Sequence, residues 1–421
     1  MTQVNIILNF HKFSRYAFNA LVGALEGHID NANLSIKGAR NKTILQQMLA
    51  EANPNAVTLV LWTFYSPSFN AAREHLKILK QQFPSKQIIH LAGGVHATAE
   101  PRQTLEAGFD YIGVGEGEQI IVDVVNNLLQ EKPLEEVQGI AYLQENEVKR
   151  NGRGEIIDLN DYPPFAPKNH KFGPIEITRG CIYACKFCQT PYVNKARFRH
   201  RASEQIAEYA GIMRSYGFRD YRFISPSSLS YGSYDESVNL DEVELFLAKL
   251  RKAVGQDARI FFGSFPSEIR PEHISVDALR LIKRFIDNDN INIGGQSGSQ
   301  AVLDKSKRGH TVEEIIKAVE LTTQEGLKAN VDFLFGLPGE TETDRKQTTN
   351  LIEILTSMGA KIHTHSFMPL PGTPFKNEAV AKIDPKIKEV ISNMETKGLA
   401  YGQWQSHWNK AQELVQIRNE K

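Results

Sequence analysis

Short apolar runs alternate with helical patterns along most of this chain, and they do so in two separate series. Such alternation marks a parallel sheet, because parallel neighbours need a long crossover and that crossover is usually a helix. In the first series the runs fall at Val4–Phe10, Asn33–Lys37, Ala56–Thr63, Gln87–Ala92 and Tyr111–Val114. Helical patterns occupy about 14–26, 42–52, 69–82, 101–107 and 118–131. The series predicts an α/β domain over residues 1–135, a doubly wound five-stranded parallel sheet. Its ligand is expected at the carboxyl edge, where strand order reverses. Residues 136–174 read as a hairpin, Gln138–Val148, and a Pro-rich linker from Asn151 to Pro174. The second series has runs at Ile175–Thr178, Asp220–Ser225, Arg259–Phe265, Asn290–Gln296, Ala329–Phe335 and Lys361–Met368. It predicts a partial (β/α)6 barrel over residues 175–375, with its chemistry on loops at the C-terminal strand ends. Residues 376–421 read as a short helical tail, with Trp404 and Trp408 on a packing face.

Composition excludes several partners. Formal net charge is zero, so no basic footprint asks for nucleic acid. No run reaches the roughly 18 apolar residues of a membrane helix. The chain opens on Met1-Thr2-Gln3-Val4 as a strand, without a cationic segment leading into an apolar one, so no signal peptide is expected. A reducing, cytoplasmic location fits that start. No GxxxxGK[ST] occurs, so nucleotide hydrolysis is not indicated.

All three cysteines fall within eight residues, as Cys181-x3-Cys185-x2-Cys188. They follow the first strand of the second series, where barrel chemistry is expected. Three thiolates so spaced can hold three corners of a [4Fe–4S] cube and leave the fourth iron open. A structural zinc ion with His200 as fourth ligand is the rival reading; three cysteines cannot all pair, and cysteines this close make poor long-loop disulfides.

The segment Thr178-Arg179-Gly180-Cys181-x3-Cys185-Lys186-Phe187-Cys188 resembles the start of the radical S-adenosylmethionine (SAM) enzymes. In that superfamily the open iron is chelated by SAM, and reductive cleavage gives a 5′-deoxyadenosyl radical. Further blocks extend the resemblance to about Phe375: Gly263–Arg270, Gly294–Ser299, Lys307–Thr311 and Asp332–Thr341. They are similar to the core shared by methylthiotransferases and cobalamin-dependent members. The resemblance implies Cys181, Cys185 and Cys188 as cluster ligands and Phe187 beside the adenine. It implies Ser225, Glu268, Gln296, Ser297, Arg308 and Leu337 around SAM, with Arg308 suited to a carboxylate.

The first domain resembles the cobalamin-binding domains of the same class. Ala92-Gly93-Gly94-Val95-His96-Ala97-Thr98 and Gly113-Val114-Gly115-Glu116-Gly117-Glu118 stand at matching strand ends. The best-known motif, Asp-x-His-x-x-Gly, is replaced by Asn9-Phe10-His11-Lys12-Phe13-Ser14. The resemblance implies His11, Trp62, Thr63, Gly93, Gly94, His96, Gly115 and Glu116 on the cobalamin side. Its implied cofactors are a [4Fe–4S] cluster, SAM and cobalamin. Its implied partners are a small-molecule substrate and an electron donor such as a flavodoxin or ferredoxin. The implied reaction is methyl transfer to an unactivated carbon. Radical rearrangement or ring closure, sulfur insertion, and non-catalytic cobalamin or redox sensing are the alternatives. Sulfur insertion is disfavoured because methylthiotransferases carry a second three-cysteine cluster and this chain has no spare cysteine. His363, His365 and Met368 end the sixth strand and point toward the barrel mouth.

Overall fold

A computed structural model describes residues 2–10, 14–29, 33–84, 87–381 and 384–419. They form two compact units, 1–173 and 174–421. In the first unit the strands are β1 (Val4–Asn9), β2 (Leu34–Ala39), β3 (Val57–Thr63), β4 (Ile88–Gly93), β5 (Tyr111–Gly113), β6 (Ile140–Gln144) and β7 (Glu147–Arg150). Their order is β2-β1-β3-β4-β5-β6-β7, parallel through β5 and antiparallel beyond it. Order reverses between β1 and β3, which makes the carboxyl ends of these strands the natural crevice. β3 is buried on both faces from Thr58 to Trp62, as a central parallel strand must be when helices cover both sides. Ile6 and Leu8 of β1 pack with Leu59 and Leu61 of β3. Phe18 and Val22 of helix Arg15–His28 and Val124 and Val125 of helix Gly117–Leu129 join the same core.

The sheet exceeds the predicted five strands. The hairpin joins it, since Ile112 of β5 pairs with Ala141 of β6. Ile140 and Ala141 are buried, so this hairpin covers a sheet edge rather than leading away from it. The Pro-rich stretch also packs down. Its Ile157, Leu159, Tyr162 and Phe165 are buried, and the Phe172 carbonyl accepts from Arg15 (2.9 Å) and Asn19 (3.0 Å). Glu26 accepts from the backbone of Asn169 at 2.7 Å. Proline removes a donor that a non-sheet segment would have to satisfy, which suits a segment packed without ladder partners.

The second unit carries β8 (Ile175–Glu176), β9 (Thr178–Arg179), β10 (Arg199–His200), β11 (Asp220–Ile224), β12 (Arg259–Phe261), β13 (Asn290–Gln296), β14 (Lys328–Phe335), β15 (Lys361–Ser366) and β16 (Ala400–Gly402). β12-β11-β8 and β13-β14-β15-β16 form two parallel sheets. A parallel bridge from Ile269 to Ile293 joins them, and no pairing among the described residues closes a barrel. β12 stops at Phe261 because the Asn288 side chain takes over pairing, accepting from Phe262 N at 3.1 Å. The tail is not all helix. β16 separates helix Pro385–Thr396 from helix Trp404–Asn419 and adds a strand beside β15. Trp404 is buried, and the Trp408 indole donates to the Ala381 carbonyl.

Gly23 shows how closely the Pro-rich stretch is seated. A Cβ there would stand 2.6 Å from the Phe165 carbonyl oxygen and 3.2 Å from that of Pro163. Glycine to alanine inside a helix normally gains about 0.5–1 kcal/mol. Here G23A is expected to destabilise the protein by about 1–3 kcal/mol through overpacking. Urea unfolding measures it, and a stabilised variant would refute the contact.

Candidate active site

The cysteine loop leaves β9 at Gly180, whose φ is +82°. A Cβ at that position would collide with the Arg197 carbonyl, so only glycine lets the two backbone segments meet. Backbone bonds then fix the loop: Cys188 N donates to Cys185 O (3.1 Å) and Lys186 N to Ser306 O (3.0 Å). Tyr192 donates to the Ala184 carbonyl at 2.8 Å. Cys185 is buried, Cys181 and Cys188 are half-buried, and none forms a disulfide. Burial pushes the Cys181 thiol up to about 12 and raises that of Cys188. Such thiols resist ionising alone, whereas metal coordination deprotonates a thiol outright, so the donor set fits a metal cluster. His200 is engaged elsewhere. Its Nδ1 meets Thr178 Oγ1 at 3.0 Å and its Nε2 meets the Ser233 carbonyl at 2.6 Å. With both nitrogens taken, it does not complete a zinc site.

Arg308 is the charged centre of this unit. Its Nη2 donates to Gly294 O at 2.6 Å and its Nη1 lies 3.6 Å from Cys185 Sγ. Glu268 Oε1 stands 3.6 Å away. Burial opposes its charge, but the Cys185 sulfur and the Glu268 carboxylate outweigh that and raise its pKa. Its buried Nε has no hydrogen-bond partner, which leaves one donor for a ligand. Glu268 is pushed up to about 7, first by burial and then by Asp332, with Arg308 pulling the other way. The approach depends on Gly294, where a Cβ would stand 2.5 Å from Arg308 Nη2 and 2.9 Å from both Glu268 carboxylate oxygens.

Gln296 sits at an irregularity in β13 with φ +73°. A non-glycine residue in that region stores about 1–3 kcal/mol of strain, of the kind found at ligand sites. Ser297 and Ser225 have different work. Ser297 Oγ accepts from Ser299 N at 3.2 Å, and Ser225 Oγ donates to the Ser227 carbonyl at 2.8 Å. Both hydroxyls hold loop backbone rather than standing free. Phe187 and Leu337 come together with Val302, Phe367 and Phe375 in one apolar cluster.

Sequence reasoning assigned no role to Arg270, His273 and His310 at this centre. Buried Arg270 donates to the Arg308 carbonyl and to Glu272, and its guanidinium covers the Tyr183 ring 3.5 Å from the centroid. Tyr183 meets His273 Nε2 at 2.7 Å. His310 accepts no charge there: burial and the two arginines push it down to about 2, and its Nε2 lies 3.1 Å from Gly295 O. Arg270 ends the Gly263–Arg270 block, so its position was the available signal.

At the carboxyl edge of the first unit the candidates divide. Thr63, Gly93 and Gly94 meet at the ends of β3 and β4, where a Cβ on Gly94 would lie 2.6 Å from Thr63 Oγ1. The Cβ position of Gly93 is open, with its nearest neighbour the Gly113 carbonyl at 4.0 Å. Gly115 N donates to Thr98 Oγ1 at 3.2 Å. These small residues leave a shelf that fits a flat ligand. Trp62 faces the other way: it is 2% exposed, donates to His90 Nδ1 (3.2 Å) and meets His75 and Phe109 edge-on. It belongs to the core because its strand is covered on both faces. His96 is also buried, stacked on Phe69 with its Nδ1 3.0 Å from Ser66 Oγ. Glu116 accepts from Ile157 N at 3.3 Å and so holds the packed Pro-rich stretch. His11 lies outside the described residues.

Comparison with known proteins fixes the two units. Residues 175–352 match the model of the radical SAM superfamily, and residues 12–125 match that of the B12 binding domain. The chain carries a B12-binding domain and a radical SAM domain. The radical SAM match marks an enzyme domain in the second unit and implies a [4Fe–4S] cluster and SAM as its cofactors, and the B12-binding match supports cobalamin for the first unit. The threonylcarbamoyladenosine tRNA methylthiotransferase of Homo sapiens is 27% identical over 354 residues, 82% of this chain and 56% of that protein. The tRNA-2-methylthio-N(6)-dimethylallyladenosine synthase of Finegoldia magna is 27% identical over 51% of this chain and 45% of its own length. The chain thus spans about half the length of these curated relatives. Among solved structures, the radical SAM methyltransferase TsrM from Kitasatospora setae, with cobalamin and a [4Fe–4S] cluster bound, superposes with a TM-score of 0.69. That match has 16% identity and covers 89% of this chain and 74% of TsrM. The cobalamin-dependent SAM radical enzyme OxsB gives 0.68 at 17% identity, over 94% and 62%. At these identities the likeness establishes the fold. No helix among the described residues is long and apolar enough to cross a membrane.

Proposed function

We propose that this radical SAM protein is a cobalamin-dependent methyltransferase acting on an unactivated carbon of a small molecule. The observation that carries the reading is one cysteine trio beside a buried arginine, in a chain that also holds a B12-binding domain. When bound, the cluster and SAM supply a 5′-deoxyadenosyl radical and cobalamin carries the methyl group. Overall a substrate C–H becomes C–CH3. One SAM leaves as 5′-deoxyadenosine and methionine, a second gives up its methyl, and a flavodoxin- or ferredoxin-type donor supplies the electrons.

The chain's own residues then have distinct tasks. Arg308 offers its spare Nε to the SAM carboxylate, a charge-assisted bond in a dry site. Glu268, whose carboxyl burial holds above its ordinary range, ionises more readily beside the SAM ammonium or sulfonium. Phe187 and Leu337 give the adenine an apolar wall. Gln296 stands at the strained strand end with an amide for the ribose or amino group. Ser225 and Ser297 position these loops. Sequence relatives include tRNA methylthiotransferases, but these 421 residues keep all three cysteines at one site and carry no net positive charge. The shared fold of TsrM, a radical SAM methyltransferase solved with cobalamin bound, supports the reading.

Two outcomes test it. Reconstituted, reduced protein kept anaerobic is expected to bind cobalamin and to convert SAM to 5′-deoxyadenosine. An intact cluster that yields none sinks the proposal. The G294A variant drives a methyl group into the Arg308–Glu268 pair, so SAM binding should weaken at least about tenfold, about 1.4 kcal/mol. Unchanged affinity by equilibrium dialysis contradicts the assigned role of that pair.

A further inference from the structure

We propose that Asp332, His363 and His365 bind one divalent transition-metal ion, separate from the cysteine site. β14 and β15 pair in a register that sets Asp332 opposite His363. His365, two residues on, projects to the same face of β15. One donor atom from each converges there. Asp332 Oδ1 lies 2.7 Å from His363 Nδ1, His363 Nδ1 lies 3.2 Å from His365 Nε2, and His365 Nε2 lies 3.9 Å from Asp332 Oδ1. Bonds of about 2.0–2.2 Å at angles between octahedral and tetrahedral place donor atoms about 3.0–3.5 Å apart, which these separations bracket.

Hydrogen bonding alone accounts poorly for the cluster. A single proton on His363 Nδ1 satisfies one of its two close neighbours, not both. A metal ion takes a lone pair from each. The rings are also held in place. His363 stacks on Tyr401 at 4.6 Å and 13°, and His365 stacks on His407 at 5.3 Å and 8°.

Two imidazoles and one carboxylate suit zinc, ferrous iron or a similar ion better than magnesium or calcium, which prefer oxygen. Three protein ligands leave coordination positions open. The histidine side chains are 24% and 28% exposed, so ion and ligand can reach them. The open positions would take an anionic or hydroxyl group of a small molecule. None of the ligands is a cysteine, so the ion does not compete with the cluster. The inference stands whether or not the reaction is methyl transfer.

The test uses zinc and the full-length protein with its cluster reconstituted anaerobically. After titration and desalting, elemental analysis is expected to find one zinc per chain besides the cluster iron. Zinc-edge X-ray absorption should show nitrogen and oxygen neighbours with imidazole scattering and no sulfur. D332N, H363A and H365A should each weaken binding by more than the roughly 10–100-fold that follows loss of an outer partner. Each variant is first checked by circular dichroism and iron content. Absence of bound zinc in the wild type, or sulfur among its neighbours, overturns the proposal. So does unchanged affinity in folded variants.

Discussion

The buried guanidinium of Arg308 is the constraint around which the second unit is organised. A charge taken out of water is tolerated only where partners replace the solvent. Here the replacements come from three separate parts of the chain: Cys185 of the cysteine loop, the Gly294 carbonyl of β13 and Glu268 beyond β12. Removing one partner from such a group costs about 3–5 kcal/mol, because it leaves a buried charge uncompensated. The same interaction therefore ties three strand-end segments to each other and sets a cation beside the Cys185 sulfur.

Backbone geometry makes that convergence possible. Gly180 lets the cysteine loop pass against Arg197, and Gly294 leaves room for the guanidinium and carboxylate to meet. Gln296 accepts a left-handed backbone immediately after the β13 glycines, so the chain turns out of the sheet at the ligand-facing end. In the first unit the same economy of side chains appears at the ends of β4 and β5, where Gly93, Gly94 and Gly115 keep the carboxyl edge low. Parallel strands buried on both faces deliver these edges in a fixed position, and the two helices Arg15–His28 and Gly117–Leu129 hold the sheet through a shared core.

Much of this was legible in the residues. The βα rhythm located nearly every parallel strand. Of the residues the resemblance singled out, Arg308 meets Cys185 and Glu268, and Phe187 packs with Leu337. The failures have physical causes. Trp62, His96 and Glu116 stand at strand ends, but which way a side chain points depends on sheet position and on what packs behind it. A tryptophan in a doubly covered strand turns inward, and a glutamate near a packed segment satisfies its backbone donors. The Pro-rich stretch resembled a linker by composition, yet its scattered Ile157, Leu159, Tyr162 and Phe165 found a surface to cover. β16 is only three residues long, too short for any periodicity to mark. The pairing of Asp332 with His363 depends on strand register, which local sequence does not carry, although His363 and His365 were read at the end of the sixth strand.

On the proposed function, the open iron of one cluster takes SAM beside Arg308. Electron paramagnetic resonance of the reduced, reconstituted protein addresses this directly. Adding SAM is expected to shift the g-values of the reduced cluster, because a ligand joins the open iron, and the shift should be lost in R308A. A spectrum that SAM leaves unchanged, with the cluster intact and fully reduced, would contradict the account.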